Sequence, residues 1–400
     1  MTRRPDMPGR PGGPVQVTRA ARPPLEDYLA CVRRIFATHD LTNMGQYARR
    51  LETELATVLD APALAVCANG TLALQLALRL LGLNGKTVIT TPFTYVATLS
   101  ALLWEGCTPV FADIDPESLC LSPHEVARQL ETHPEAAGLL PVHVYGNACD
   151  VTALADVAEG RLAVLYDAAH AFGSRLDGKS LFAFGDAATA SFHATKLFHT
   201  VEGGCVVAHD PTLKAQLELL RAFGHRGDTH SSLGINAKLS ELHAAMGLCL
   251  LPGLPDAIAR RAALTGLYDA ALGLGPDGAP NREGMRRPRL AARLDWNHSY
   301  YPVIFPDAAA RARATSALKA RDIHPRRYFF PSLTRLPYVK SQPCPVAENM
   351  AERVLCLPLW ADMAPELVAE IADVTLTAMR NRRAARSEWP YPSAEPAPEA

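Results

Sequence analysis

The sequence lacks the marks of a membrane-spanning, secreted or nucleic-acid-binding protein. Its longest apolar runs, such as residues 72–83, are broken by Gln75 and Arg79 and are too short to span a bilayer. The formal net charge is only -1, so no overall positive field favours nucleic acid. The N-terminus is rich in arginine and proline but has no apolar segment of the kind that a secretory signal needs. We therefore expect a cytoplasmic protein with neither a membrane nor a nucleic acid as partner.

Two further motif classes are missing. The nine cysteines are scattered, odd in number and form no Cys-x-x-Cys pair. This pattern favours reduced thiols over a disulfide framework or a zinc site, and we expect no metal. No Gly-x-Gly-x-x-Gly follows the first predicted strand, which argues against a dinucleotide-binding Rossmann domain.

The composition favours a large folded region in two domains. The chain has 400 residues, of which 48% are hydrophobic. We expect a flexible leader at 1–24, a large α/β domain at 25–253, a smaller α+β C-terminal domain at 254–386 and a flexible tail at 387–400. Short runs rich in Val, Ile and Leu alternate with helical patterns in the large domain and predict a mainly parallel sheet between helices. These runs are 63–67, 87–91, 109–114, 139–144, 162–166 and 203–209.

Helix boundaries are marked at several places. Ser122-Pro123-His124-Glu125 is a capping box with proline at the first helical position. Asp150 is a suitable cap for the helix that follows it. After residue 253 the pattern predicts a helix, a strand at 300–305, a helix at 308–321 and a last helix at 365–380.

The most informative segment is SFHATK at 191–196, which follows YDAAH at 166–170 and precedes EGG at 202–204. The amine of Lys196 can form a Schiff base with an aldehyde cofactor. Asp167 ends an apolar strand, where open α/β sheets hold their ligands, and a buried carboxylate there can keep a pyridinium nitrogen protonated. Together these residues indicate pyridoxal phosphate (PLP) chemistry.

Other motifs occur in a recognisable order: CANGT at 67–71, TPFTYVAT at 91–98, PVHVYG at 141–146, DAAHAFG at 167–173 and GINAKLSE at 234–241. With the lysine segment they make the chain resemble the DegT/StrS family of nucleotide-sugar aminotransferases, over roughly residues 40–375. The resemblance implies the PLP-dependent transferase fold of type I. The segments HVYGN at 143–147 and FHATK at 192–196 look most like enzymes that aminate a dTDP-4-keto-6-deoxyhexose at C4.

The resemblance also implies roles for particular residues. Lys196 would be catalytic, holding the cofactor and then moving a proton, while Asp167 would pair with the pyridinium nitrogen. The remaining cofactor-binding residues would be Tyr95 on the ring, His170 near its phenolic oxygen, Gly70, Thr71 and Ser191 at the phosphate, and Asn236 from a second subunit. The substrate contacts would be Thr42, Asn43, His193, Arg326, Arg327 and Tyr328.

Some positions leave alternatives open. Arginine suits a pyrophosphate because its planar fork binds two oxygens, but the Arg326–Arg327 pair is equally typical of a solvated surface. Lys238 stands where many family members have arginine, and Asn69 replaces the usual serine. These differences affect the substrate contacts and leave the PLP residues intact.

The expected activity is a two-step exchange in which L-glutamate donates the amino group and a nucleotide-linked keto sugar receives it. The most similar pattern predicts dTDP-4-keto-6-deoxy-D-glucose as acceptor and a homodimer with shared active sites. Within enzymes, the alternative is amination at C3 of a deoxysugar or of a keto-cyclitol. The alternative of another class is a non-catalytic PLP-binding regulator, which no helix-turn-helix or basic segment supports.

Overall fold

The computed structural model describes residues 13–380, and the predicted tail at 387–400 lies outside them. Its strands alternate with helices along most of the chain. The strands are β1 (Val15–Gln16), β2 (Ala63–Cys67), β3 (Thr87–Thr90), β4 (Thr108–Phe111), β5 (Gly138–Leu140), β6 (Ala163–Asp167), β7 (Arg175–Leu176), β8 (Lys179–Ser180), β9 (Ala187–Ser191), β10 (Gly204–Ala208), β11 (His225–Arg226), β12 (Thr229–His230), β13 (Leu294–Asp295), β14 (Tyr301–Ile304), β15 (Ile323–His324) and β16 (Val354–Leu357).

The helices flank the strands. They are α1 (Leu25–Thr38), α2 (Gln46–Val58), α3 (Gly70–Leu80), α4 (Val96–Trp104), α5 (Pro123–Thr132), α6 (Val151–Ala158), α7 (Lys214–Arg221), α8 (Glu241–Leu250), α9 (Leu254–Leu272), α10 (Ala308–Lys319), α11 (Pro345–Arg353) and α12 (Pro365–Arg380). The predicted strand at 63–67 and the predicted helix at 365–380 are confirmed at both ends. The Ser122 side chain accepts from the Glu125 amide and that of Asp150 from the Ala153 amide, so both predicted caps are confirmed.

The central sheet has seven strands in the order β2-β10-β9-β6-β5-β3-β4. Every neighbouring pair is parallel except those of β10, which is antiparallel to both β2 and β9. All five residues of β2 are buried, as expected of a strand covered by helices on both faces. The predicted α/β class with a mainly parallel sheet between helices is therefore confirmed.

A second folded region is formed by α9 and by elements that come after it. Strands β14 and β16 pair antiparallel, and α9, α10 and α12 pack around a separate apolar cluster that includes Tyr268, Val303, Leu355 and Ile371. Helix α11 instead faces the large domain, because the carboxylate of Asp113 accepts from the first backbone N–H groups of that helix at 2.9 Å. The domain boundary near residue 253 stays a prediction.

Residues 13–24 differ from the flexible leader expected at 1–24. Strand β1 pairs parallel with β15, and the side chains of Val15 and Val17 are buried. The amide of Leu359 donates to the carbonyl of Val17 at 3.0 Å, and the imidazole Nε2 of His199 lies 2.9 Å from the carbonyl of Ala21. Val15 and Val17 alternate with polar residues, which is a pattern typical of a strand. The arginine- and proline-rich composition instead favoured the prediction of a flexible leader. Residues 1–12 lie outside the described part.

Helices α8 and α9 together form a long apolar stretch. By length and composition alone, Glu241–Leu272 could cross a membrane. It consists of α8, a short turn containing Pro252, and α9. In the structure, α8 packs on α1 and α2, and α9 packs on α12, so both helices contribute to the folded layers.

Candidate active site

A cavity of about 560 Å³ opens where the carboxyl ends of β6 and β9 meet the start of α3. This is the edge at which open parallel sheets bind ligands. Ten of the residues predicted from the sequence line it: Gly70, Thr71, Tyr95, Asp167, His170, Ser191, His193, Lys196, Arg326 and Tyr328. Residues more than 250 positions apart in the chain therefore meet at one site.

Lys196 lies in the connection between β9 and β10. Backbone hydrogen bonds close this connection, from the amide of Lys196 to the carbonyl of His193 at 2.8 Å and from the amide of Thr200 to the carbonyl of Phe192 at 2.9 Å. The side chain is half-buried, and its Nζ is 3.5 Å from the hydroxyl of Tyr300. Burial of the amine lowers the pKa of Lys196 to about 8, against the opposing effect of the Asp167 carboxylate. A lowered pKa gives the amine a substantial neutral, nucleophilic fraction near neutral pH.

Asp167 is the last residue of β6 and is 6% exposed. Its Oδ2 accepts from the hydroxyl of Thr98 at 2.8 Å, and its Oδ1 accepts from the amide of Ala169 at 3.0 Å. The hydroxyl of Thr94 lies 3.0 Å from that of Thr98, which extends the chain of hydrogen bonds by one group. Burial raises the pKa of Asp167, while the Ala169 and Thr98 donors lower it. The carboxylate is thus fixed in orientation inside the cavity.

The start of α3 forms one end of the cavity. The Asn69 side chain caps the helix by accepting from the Leu72 amide at 2.9 Å. In the part of the chain that the structure describes, the amides of Gly70 and Thr71 have no protein acceptor. A Cβ on Gly70 would come within 2.7 Å of the Cβ of Ser191, so only glycine allows this approach of α3 to the end of β9. Free N–H groups, the helix dipole and the hydroxyls of Thr71 and Ser191 make this end suitable for an anion.

Aromatic residues form the opposite side. The ring of His170 stacks on Phe329 with centroids 5.4 Å apart and meets Tyr300 edge-on at 5.1 Å. Burial holds the pKa of His170 well below its usual value, and its Nδ1 accepts from the Tyr145 amide at 3.4 Å. His170 is therefore neutral, with its proton on Nε2. Tyr95 precedes α4 and is 57% exposed at the cavity.

The two adjacent arginines have different surroundings. Arg327 is half-buried, donates to the Glu352 carboxylate at 2.7 Å and lies on the ring of Phe330, so its guanidinium already has a partner. Arg326 lines the cavity, with its guanidinium carbon 5.6 Å from the ring centre of Tyr328. Within residues 13–380, the guanidinium of Arg326 has no carboxylate partner. The two arginines thus differ in their surroundings, and a role for either in binding pyrophosphate stays a prediction.

Besides Arg327, three predicted residues do not line the cavity in this chain. Thr42 and Asn43 are exposed in the segment before α2, and Asn236 is exposed beside the backbone bridge that it forms with Ala222. His193 lines the cavity, but its Nδ1 accepts from the Thr195 amide at 3.2 Å, and its Nε2 is 3.5 Å from the Glu202 carboxylate. Its ring is therefore held by neighbours in its own loop.

Sequence reasoning missed several cavity residues. Thr98 lies four residues after Thr94 in a recognised motif, and that helical spacing was the available signal for their contact. Tyr300 was assigned only to a strand, and no local pattern marks its approach to Lys196. Residues 16–18 were assigned to the leader, yet they line the cavity. Within residues 13–380, no group of His, Cys, Asp or Glu is arranged to hold a metal ion.

Comparison with known proteins identifies the family of this site. The DegT/DnrJ/EryC1/StrS aminotransferase family is matched over residues 25–375. The dTDP-4-amino-4,6-dideoxy-D-glucose transaminase of Shigella dysenteriae is 35% identical over 368 residues, covering 90% of this chain and 97% of the relative. An enzyme of the same name from Escherichia coli is 31% identical over 378 residues, covering 91% and 99%.

A solved structure agrees with these relatives. DesI, crystallised in the presence of its TDP-sugar product, superimposes with a TM-score of 0.84 at 34% identity and covers 94% of this chain and 95% of its own. Its fold is that of the present structure over nearly the whole length. The chain therefore belongs to the DegT/DnrJ/EryC1/StrS aminotransferase family.

Proposed function

We propose that the protein is a PLP-dependent aminotransferase that moves an amino group from L-glutamate to C4 of dTDP-4-keto-6-deoxy-D-glucose. The product is dTDP-4-amino-4,6-dideoxy-D-glucose. One observation carries the proposal: the amine of Lys196 and the fixed carboxylate of Asp167 line the same cavity, together with a helix start suited to an anion beside Ser191 at the end of β9. The relatives that share this chain's length act on the corresponding dTDP sugar.

The residues of the cavity fit PLP by their chemistry. An aldehyde needs an amine, a pyridinium nitrogen needs a carboxylate, and a phosphate needs free N–H groups and hydroxyls. Lys196, Asp167 and the start of α3 supply these three, and all of them line one cavity, at which Gly70 approaches Ser191 closely. PLP, when bound, supplies a conjugated ring that withdraws electrons from the carbon bearing the amine.

The protein residues handle binding, orientation and protons. The amine of Lys196, with a pKa of about 8, holds the cofactor and, once released, takes and returns the proton at the reacting carbon. The Asp167 carboxylate, oriented by Thr98 and the Ala169 amide, keeps the ring nitrogen protonated. The neutral His170 would offer its Nε2 proton to the phenolic oxygen of the cofactor, and Tyr95 would offer an aromatic face to its ring.

Arg326 is the residue that receives the pyrophosphate of the nucleotide sugar. Its guanidinium lines the cavity, and a bidentate contact to phosphate oxygens is its strongest interaction. Arg327 is the matched control because it is already paired with Glu352. Replacing Arg326 by methionine raises the dissociation constant for dTDP about tenfold or more, whereas Arg327→Met leaves it within about twofold in isothermal titration calorimetry. Equal losses in the two variants contradict this assignment.

We also propose a homodimer in which each site is completed by the partner. Asn236 is exposed, and it is flanked by the exposed apolar side chains of Phe223, Leu233 and Ile235. Such a surface suits contact with a second copy, which would bring Asn236 to the partner's cofactor phosphate. Thr42 and Asn43 are exposed as well, and their assignment to substrate depends on the same contact.

The dimer has a sharp test. If sites are shared, a mixture of Lys196→Ala and Asn236→Ala subunits forms heterodimers in which one of the two sites has both native residues. Activity is then recovered on mixing two nearly inactive proteins. No recovery after subunit exchange, or a fully active monomer in light scattering, contradicts the shared site.

The first experiment on the proposed function is visible spectroscopy of the PLP-loaded protein. Adding L-glutamate should abolish the absorbance of the lysine-bound cofactor, and dTDP-4-keto-6-deoxy-D-glucose should restore it. Lys196→Ala should lack that absorbance, whereas Lys179→Ala, at an exposed strand residue, should keep it.

The outcomes separate the candidate functions. Restoration by a C3 keto sugar or a keto-cyclitol, but not by the 4-keto sugar, corrects the acceptor and keeps the aminotransferase. Loss of absorbance with no acceptor that restores it, together with specific binding to a regulatory partner, favours the non-catalytic alternative. Failure of the wild-type protein to bind PLP overturns the proposal.

A further inference from the structure

The segment before the first helix forms part of the cavity. Residues 16–18, here named the N-terminal wall, line it beside Arg326 and Tyr328. We propose that the side chains of Gln16 and Thr18 form a polar subsite that, with Arg326, binds the diphosphate-bearing end of the nucleotide sugar and takes no part in binding the amino donor. This inference rests on the proposed function and assigns a substrate subsite within it.

Strand geometry gives the wall its two faces. Side chains alternate across an extended chain, so Val15 and Val17 point to one face while Gln16 and Thr18 point to the other. The two valines are 1% and 6% exposed, whereas Gln16 is exposed and Thr18 is half-buried. Val15 packs in the apolar cluster of the second folded region and Val17 in that of the large domain, so the valines fix the segment between the two. The side chains of Gln16 and Thr18 are left at the cavity, which Val17 also borders.

Backbone pairing holds the N-terminal wall beside the segment that carries Arg326. Gln16 pairs with His324, which lies two residues before Arg326 on the same strand connection. Further backbone bonds hold both ends, from Val15 to the carbonyl of Asp322 at 2.9 Å and from Leu359 to that of Val17 at 3.0 Å. Polar groups on the two paired segments are therefore presented together, as a subsite for an extended ligand requires.

The polar groups of the wall are available to a ligand. Within the described residues, neither the Gln16 amide nor the Thr18 hydroxyl takes part in a protein hydrogen bond. An amide N–H and a hydroxyl are suitable donors to phosphate and sugar oxygens, and they add no charge that would repel a diphosphate. L-Glutamate carries no diphosphate, so a subsite for the diphosphate contributes nothing to its binding.

The test uses the PLP-loaded full chain and dTDP as probe in isothermal titration calorimetry. Loss of two neutral hydrogen bonds in the Gln16→Ala/Thr18→Val variant should weaken dTDP binding about tenfold. The rate of absorbance loss with L-glutamate should stay within about twofold of wild type. The control is Gln216→Ala/Thr57→Val, which removes the same groups from exposed helix positions and should leave both measurements unchanged.

A second variant tests the diphosphate directly. Gln16→Glu keeps the side-chain size but adds a negative charge, so it should weaken dTDP binding more than Gln16→Ala does. Added salt should reduce the difference between the dTDP dissociation constants of these two variants. Unchanged dTDP binding in both variants overturns the subsite, as does an equal loss in the glutamate reaction. If the wild-type protein binds no nucleoside diphosphate, the proposed function fails first, and the subsite fails with it.

Discussion

The hydrogen bond from Thr98 to Asp167 should control how tightly the protein holds PLP. Thr98 and Asp167 are 1% and 6% exposed, and their oxygens are 2.8 Å apart. Valine has the same shape without the donor, so Thr98→Val removes one hydrogen bond to a buried charged group, which contributes about 1.5–3 kcal/mol. We therefore expect the PLP dissociation constant to rise about 10- to 100-fold.

The same hydrogen bond determines the direction in which the pH dependence of PLP binding should shift. The Thr98 hydroxyl lowers the pKa of Asp167, so its removal raises that pKa and protonates the carboxylate at a higher pH. The acid-side loss of PLP binding should shift to higher pH in the variant. The assay is equilibrium PLP titration of the cofactor-free protein across a pH series.

Two further threonines provide controls for the measurement of PLP affinity. Thr94 contacts the hydroxyl of Thr98 rather than Asp167, so Thr94→Val should weaken PLP binding by only about threefold. Thr90 is also fully buried, but its hydroxyl donates to the carbonyl of Leu140, away from the carboxylate. Thr90→Val should reduce stability and leave PLP binding unchanged. A PLP affinity for Thr98→Val no weaker than that for Thr90→Val refutes the reasoning.

Three more predictions concern the site and its frame. In the cofactor-free protein, acylation of Lys196 followed by mass spectrometry should titrate with a midpoint at about 8, because burial lowers the pKa of the amine; a midpoint at the ordinary 10.5 contradicts this. The Glu241 carboxylate accepts from two amides at the start of α2, so Glu241→Gln should lower the free energy of unfolding in urea by about 2–4 kcal/mol, and a change below about 0.5 kcal/mol counts against it. Gly70→Ala should weaken PLP binding about tenfold by forcing α3 away from Ser191, whereas Gly266→Ala, which meets open space on α9, should have no effect, and equal effects would be inconsistent with the close approach.

The sequence predicted the elements whose signal is local. The predicted strand at 63–67 consists of apolar residues throughout, and the family and the mainly parallel α/β class are confirmed. Strand β9 was not predicted, because its alanines and threonines carry no strong strand pattern and its burial comes from the neighbouring strands. Helix α11 has an N-terminus fixed by Asp113 from the other domain, which no local window contains.

The site divides in the same way. Lys196 and Asp167 were found from their motifs, and the structure brings them to one cavity, although their roles stay predictions. Tyr300 reaches Lys196 only through the packing of two domains, so no spacing in the sequence predicts this contact. The role of Asn236 needs a second chain, and it stays a prediction with the homodimer, the glutamate donor and the cytoplasmic location.

The pairing of β1 with β15 has a consequence for biosynthesis of the protein. Strand β1 emerges from the ribosome early, but its partner at Ile323–His324 is made only after the whole large domain. The large-domain sheet can therefore form during synthesis, whereas the N-terminal wall completes the cavity late, through a contact between segments that are far apart in the sequence. Nascent or truncated chains that end before residue 324 lack a complete substrate cavity even when their central sheet has folded.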